Sequence, residues 1–169
     1  MSRTKKMTKK EMRKATGERL RRIARAGEVF LDGDAFKRIV TDPALVSGDD
    51  YRVEHDKFIQ IKQTLFKLKR LEPGDIGAMT WRKHQDGATM VVVVDPDPNR
   101  RPSAGQYPLA PALAAAFDGR MAAQDMTIKG FPVLSVCGPI RDSLDDVVGV
   151  LEVFASLEPE KFQANFINY

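Results

Sequence analysis

The sequence predicts an α+β domain in which helices come first and a five-stranded antiparallel sheet follows, the helices packing on one side of it. Three observations predict this. Residues 131–153 hold two runs rich in β-branched and apolar residues around a short polar segment, 141–146, which is the pattern of a buried β-hairpin. Two segments ahead of it, from Thr8 and from Ser47, repeat apolar residues at helical spacing among Lys and Arg. Between helices and hairpin lie three more short strand-like runs, 76–82, 88–94 and 121–128.

The first helix opens on Thr8-Lys-Lys-Glu11, a capping box, after residues 1–7, which are expected to be disordered. Met12, Ala15, Leu20, Ile23 and Ala24 form its apolar stripe, and Gly17 weakens it by up to about 1 kcal/mol relative to Ala. Leu31-Asp-Gly-Asp34 breaks it, with Asp34 expected to cap a short helix over 35–40. Ser47-Gly-Asp-Asp50 starts the next helix, whose Tyr51, Phe58, Ile61, Leu65 and Leu68 make one apolar face until Glu72-Pro-Gly74 stops it. His84-Gln-Asp-Gly87 turns between the first two strands. The segment 95–105 is long for a loop in a compact domain and hence functional or mobile. An Ala-rich helix is expected over 108–117. In the tail, 157–169, Phe162, Phe166 and Tyr169 suggest a short helix docked on the body.

At 169 residues the chain is one domain by length. No apolar run reaches the roughly 18 residues of a membrane span, and the basic N-terminus lacks the apolar stretch of a signal peptide. One cysteine, Cys137, excludes an intramolecular disulfide and a Cys-based metal cluster. A reduced, cytoplasmic protein is expected, or an extracytoplasmic one if a signal or anchor has been removed. The net charge of +4 conceals an asymmetry. Residues 1–25 carry eleven Lys or Arg against Glu11 and Glu18, so the remainder is acidic, at −5. The basic segment is read first as a helix that packs or dimerises through Met12, Leu20 and Ile23. Contact with nucleic acid or anionic lipid by charge alone is the alternative, and aromatic residues for base stacking are absent from it.

Catalytic chemistry is poorly represented, so an enzyme is not expected. The chain has no Gly-rich phosphate loop, no Gly-x-Ser-x-Gly and no His-Glu-x-x-His, and its two histidines, His55 and His84, read as surface residues. No motif calls for a cofactor or a metal. Asp95 and Asp97 alternate with proline, which is turn chemistry before it is a cation site. Cys137 falls in a strand and reads as a small buried hydrophobe rather than a reactive thiol.

Several short motifs together resemble the PAS-like sensor domains called Cache domains over residues 28–156. They are Leu31-Asp-Gly-Asp34, Asp50-Tyr51 at the head of a helix, Thr80-Trp81, Val93-Val-Asp-Pro-Asp97 with Gly105-Gln-Tyr-Pro-Leu109, and Pro139-Ile-Arg-Asp-Ser143 with Val147-Val-Gly-Val-Leu151. Leu144-Asp-Asp146 departs from the family, whose turn carries Gly before the last strand. The resemblance implies a PAS-like sheet with residues 1–27 as basic arm and leading helix, and 157–169 as a docked tail. It also implies a ligand pocket between the sheet and the segment 95–118. Trp81, Asp95, Tyr107, Thr80, Ser135 and Arg82 are its candidate ligand-binding residues, although adjacent strand residues such as Trp81 and Arg82 cannot both face it. Trp81 and Tyr107 read equally well as core. The implied function is reversible binding of a small metabolite, anionic ones among the classes admitted, signalled to a separate partner protein through helix or dimer packing. A scaffold module that kept the fold, lost the pocket and acts as a dimer is the alternative. A nucleic-acid accessory protein using residues 1–25 is a second.

Overall fold

The computed structural model describes residues 7–40, 48–94, 107–128 and 130–159, with the side chains of the second long helix described from His55 onward. Expectations for residues 1–6, the loop after Val94 with Asp95, the side chain of Tyr51 and the tail beyond Pro159 lie outside these residues. The elements run α1 (Lys9–Phe30), α2 (Gly33–Lys37), α3 (Gly48–Lys69), β1 (Ile76–His84), β2 (Gly87–Val94), α4 (Pro111–Phe117), β3 (Ala122–Ile128), β4 (Phe131–Arg141) and β5 (Val147–Ser156). The strands form one antiparallel sheet in the order β2-β1-β5-β4-β3, so the last two strands lie at its centre.

The capping box at Thr8 is present in both directions: Thr8 Oγ1 accepts from Glu11 N–H, and the Glu11 carboxylate accepts from Thr8 N–H at 2.8 Å. Leu20, Ile23 and Ala24 of α1 are fully buried, with Thr16, Gly17 and Gly27 on the same stripe. A Cβ at Gly27 would meet Leu151 Cδ2 at 2.2 Å, so any larger residue there would have to displace the buried Leu151 side chain. Paired Arg13–Asp125 and Arg22–Glu72 contacts tie α1 to β3 and to the segment after α3. Ile61, Leu65 and Leu68 of α3 complete a core with Ile76, Ala78, Val92, Leu134, Val136, Leu151 and Val153 on the first sheet face. Each Ile, Leu or Val among them contributes about 1.5–3 kcal/mol of burial. No helix among the described residues is long and apolar enough to cross a membrane.

Two boundaries differ from expectation. Asp32, not Asp34, caps α2: its backbone is extended and its carboxylate accepts from Ala35 N–H at 3.0 Å. Asp34 instead accepts from Ser143 N–H in the β4–β5 turn, fastening α2 to the hairpin. The Ala-rich helix begins at Pro111 rather than Pro108. Tyr107 bridges antiparallel to Ala88, and Ala110 ahead of Pro111 is held extended. The hairpin turn places Asp145 at φ 68°. Asp142 supports it by accepting from Leu144 N–H and Asp146 N–H.

Candidate functional site

Alternation along the central strands sends one set of side chains to the helices α1–α3 and the other to a second face under α4 and residues 107–110. The second face is apolar at Met79, Val133, Val150 and Phe154, and Ala112, Leu113 and Ala116 of α4 rest on it. At its middle, however, lies a carboxylate. Register aligns Met79, Glu152 and Cys137 across β1, β5 and β4. Glu152 is 3% exposed.

Two donors hold it. Trp81 Nε1 donates to Glu152 Oε2 at 2.7 Å, and Ser135 Oγ donates to Oε1 at 2.5 Å. The indole N–H can only donate, so Oε2 is an acceptor whatever the protonation of the acid. Cys137 Sγ lies 3.9 Å from Ser135 Oγ on the same face. Burial, with the nearby Glu152 charge second, pushes the Cys137 thiol well above its ordinary range, so it stays protonated.

Tyr107 closes the arrangement from above. Its ring meets that of Trp81 edge to face, centroids 5.5 Å apart at 81°. Its backbone exchanges both hydrogen bonds with Ala88 at 2.9 and 2.8 Å. That approach needs Gly87 beneath it, where a Cβ would lie 2.3 Å from Tyr107 O.

Of the residues named from sequence, Trp81, Tyr107 and Ser135 therefore meet on one face. Thr80 and Arg82 sit on the other. Thr80 Oγ1 accepts from Val92 N–H and donates to Val92 O, stitching the irregularity where β2 slips against β1 between Met79 and Trp81. Arg82 donates to Phe36 O and Ile39 O, both at 2.7 Å, and lies over the Phe36 ring, anchoring α2. Strand alternation puts both side chains behind the sheet as seen from Glu152. Asp95 lies outside the described residues. Glu152 itself was missed. Its signal is in the sequence as the one charged residue within Val147–Ala155, two residues from both Val150 and Phe154.

His55 and His84 take no part in this cluster, and among the described residues no group of three or more His, Cys, Asp or Glu could hold a metal ion. Two cavities lie elsewhere. One of about 310 Å³ is lined by Met12, Ala15 and Arg19 of α1 with Ile76, Ala155 and Pro159. The other, of about 360 Å³, lies between Phe30 and the last turns of α3 at Thr64, Lys67, Leu68 and Leu71.

The strand order, the leading helix and the short helix over the far face give this chain the fold of the PAS-like sensor domains of Cache type. Among solved structures, the crystal structure of the Escherichia coli DcuS sensor domain is similar. Its TM-score is 0.52 and its identity 16%, covering 91% of this chain and 98% of that one. Lower in similarity are two chemoreceptor ligand-binding domains. That of Pseudomonas aeruginosa PAO1 PctC, in complex with GABA, has TM-score 0.43 and 15% identity, covering 88% of this chain and 62% of that one. That of Campylobacter jejuni Tlp3, in complex with L-valine, has TM-score 0.43 and 11% identity, covering 93% of this chain and 60% of that one. No family model and no curated protein matches the chain. The cytoplasmic placement finds no support in these comparisons.

Proposed function

We propose that this chain is a sensor domain in signal transduction, which binds a small molecule between the Glu152 face and its cover and reports occupancy to a separate partner protein. One observation carries the reading: Trp81, Ser135 and Glu152 form a hydrogen-bonded polar set at the centre of an otherwise apolar sheet face. As packing alone such a set is a poor solution, since apolar side chains of similar volume are often as stable or more so. As a recognition site it supplies oriented polar atoms within an apolar surround. The likeness to a sensor domain supports the same reading at the level of fold.

Signalling follows from the layers. α4 rests on β3, β4 and β5 from one side, and α1 packs on β4 and β5 from the other. A ligand that favours one arrangement of the cover shifts the population of the strands beneath it, and with them the seat of α1 or a dimer contact made through it. The sensor unit is residues 28–156, with α1 leading into it. The extracytoplasmic alternative fits this reading better than the cytoplasmic one. No catalytic role is assigned.

A thermal-shift screen of metabolites tests it. At least one compound stabilises the wild-type chain, and Trp81→Phe and Tyr107→Ala lose that response while remaining folded. A screen without a stabilising compound, in which the emission of the sole tryptophan also never moves, refutes it. That outcome selects the scaffold reading, which the depth of burial on this face favours: Met79, Trp81 and Phe154 are 2%, 7% and 3% exposed.

A further inference from the structure

Apolar side chains left in water gather at one end of the helical layer. Val29 and Phe30, at the end of α1, are 76% and 66% exposed, and Leu71, just past α3, is 57% exposed. Scattered singly, such residues are ordinary; gathered together, they mark a surface that something covers. They meet because α1 and α3 run antiparallel. Arg22 pairs with Glu72 at one end of the contact, and Gln60 donates to Asp32 at the other. Between the helices lies the furrow of about 360 Å³, lined from α1 by Phe30 and from the α3 side by Thr64, Lys67 and Leu71, with the buried Leu68 as its floor.

The rim of the furrow carries one sign of charge. Lys67 belongs to the lining, Arg70 follows it three residues on, and Arg25 precedes Val29 by one turn of α1; all three are exposed. The nearby acids are turned to other partners. Glu72 accepts from Arg22, and Glu28 lies toward β4, its Oε1 3.6 Å from where a Cβ on Gly138 would stand. An apolar furrow between two antiparallel helices is a seat for a third helix, whose anchors at i, i+3 or i+4 and i+7 interlock with the side chains on either wall.

We propose that this furrow receives an amphipathic helix of a partner protein, apolar on the face it inserts and acidic along its flanks. The inference goes beyond the sensor reading and does not depend on it: the furrow lies on the helical side of the sheet, and a ligand sensor or a scaffold module would meet its partner there alike. A second copy of this chain fits less well, since it would bring Arg25, Lys67 and Arg70 against the same three cations. An anionic membrane matches the charge, but a bilayer takes up side chains that protrude, whereas the feature here is a hollow between two helices.

The intact chain is titrated against fluorescently labelled helices of about 18 residues, long enough to hold helical structure. One has leucines at i, i+3, i+4 and i+7 spacing with glutamates beside that stripe. A second has lysine in place of each glutamate, and a third keeps the glutamate composition but scatters the leucines round the helix. Anisotropy reads the binding. The glutamate helix is expected to bind, and the other two at least about tenfold more weakly. Phe30→Ser and Leu71→Ser, both at exposed positions, should leave the melting temperature nearly unchanged and weaken the glutamate helix about tenfold each. Lys67→Glu combined with Arg70→Glu should reverse the preference in favour of the lysine helix, a result that loss of folding cannot produce.

No binding of the glutamate helix up to about 1 mM overturns the proposal. So does equal affinity for the glutamate and lysine helices, or binding that survives Phe30→Ser together with Leu71→Ser. Sedimentation of the wild-type chain as a dimer that Phe30→Ser converts to monomer overturns it in favour of a second copy. Flotation with phosphatidylserine vesicles that Phe30→Ser abolishes overturns it in favour of a membrane surface. None of these outcomes bears on the metabolite screen, so the sensor reading stands or falls separately.

Discussion

Ser135→Ala tests the polar set at the centre of the second face most directly. The substitution removes one hydroxyl from a fully buried position and leaves Glu152 Oε1 without the donor now 2.5 Å away. Loss of a hydrogen bond to a charged, buried acceptor costs about 1.5–3 kcal/mol. For a chain of this length, that lowers the melting temperature by roughly 3–12 °C. The same substitution in a Glu152→Met background removes a hydroxyl that no longer has a carboxylate to serve, and its cost should fall within about 0.5 kcal/mol of zero. The double-mutant cycle therefore returns a coupling of about 1–3 kcal/mol. Urea unfolding followed by Trp81 emission provides the assay, since the tryptophan is retained in all four proteins, and an unchanged denaturant slope shows that stability alone has moved. Equal cost of Ser135→Ala in both backgrounds would refute the reasoning, for the hydroxyl and the acid would then not act as a unit.

Other outcomes follow from the same geometry. Arg82→Met removes two charge-assisted bonds to the end of α2 and should destabilise by about 2–4 kcal/mol, yet leave Trp81 emission and any ligand response intact because it acts behind the sheet; loss of the response in a folded variant would contradict the assignment of faces. Cys137, fully buried and with its thiol pushed upward, should react with a disulfide reagent at neutral pH only as fast as the protein opens, which urea-dependent labelling rates will show. On acidification, Asp142 beside Lys37, Asp125 beside Arg13, and Glu72 beside Arg22 are all held below the usual carboxylate range. Their contribution is present above the ordinary carboxylate values, near about 4, and is lost as pH falls through their lowered ones. Unfolding midpoints should thus be level through neutral pH and drop in acid. Lys37→Met should shrink that drop by returning Asp142 toward its ordinary value, and an unchanged drop would argue against the pairing.

Much of the fold was legible because its signals are local. The capping box needs only Thr8 and Glu11 three residues apart, and the buried hairpin needs only two β-branched runs and a polar turn. The α2 cap was not legible. Asp32 and Asp34 are equally good capping residues, and the choice depends on Ser143, which sits more than a hundred residues away and claims Asp34. Glu152 was overlooked because a lone acid in a strand is ordinarily a solvent-facing residue. It becomes buried only when α4 and residues 107–110 close over the face it shares with Trp81 and Phe154.

The sequence by itself determined the order of the elements, the antiparallel hairpin at the centre and the apolar stripes of α1 and α3, since helical and strand periodicity are written residue by residue. It also determined that Trp81 and Arg82 part company, because neighbours in a strand point to opposite sides. Which side faces the helices and which faces α4 was decided by tertiary structure alone. Alternation specifies relative direction, and only packing assigns a partner to each face. The same packing brought an indole, a hydroxyl and a carboxylate from three different strands within hydrogen-bonding reach, a meeting that no spacing along the chain encodes.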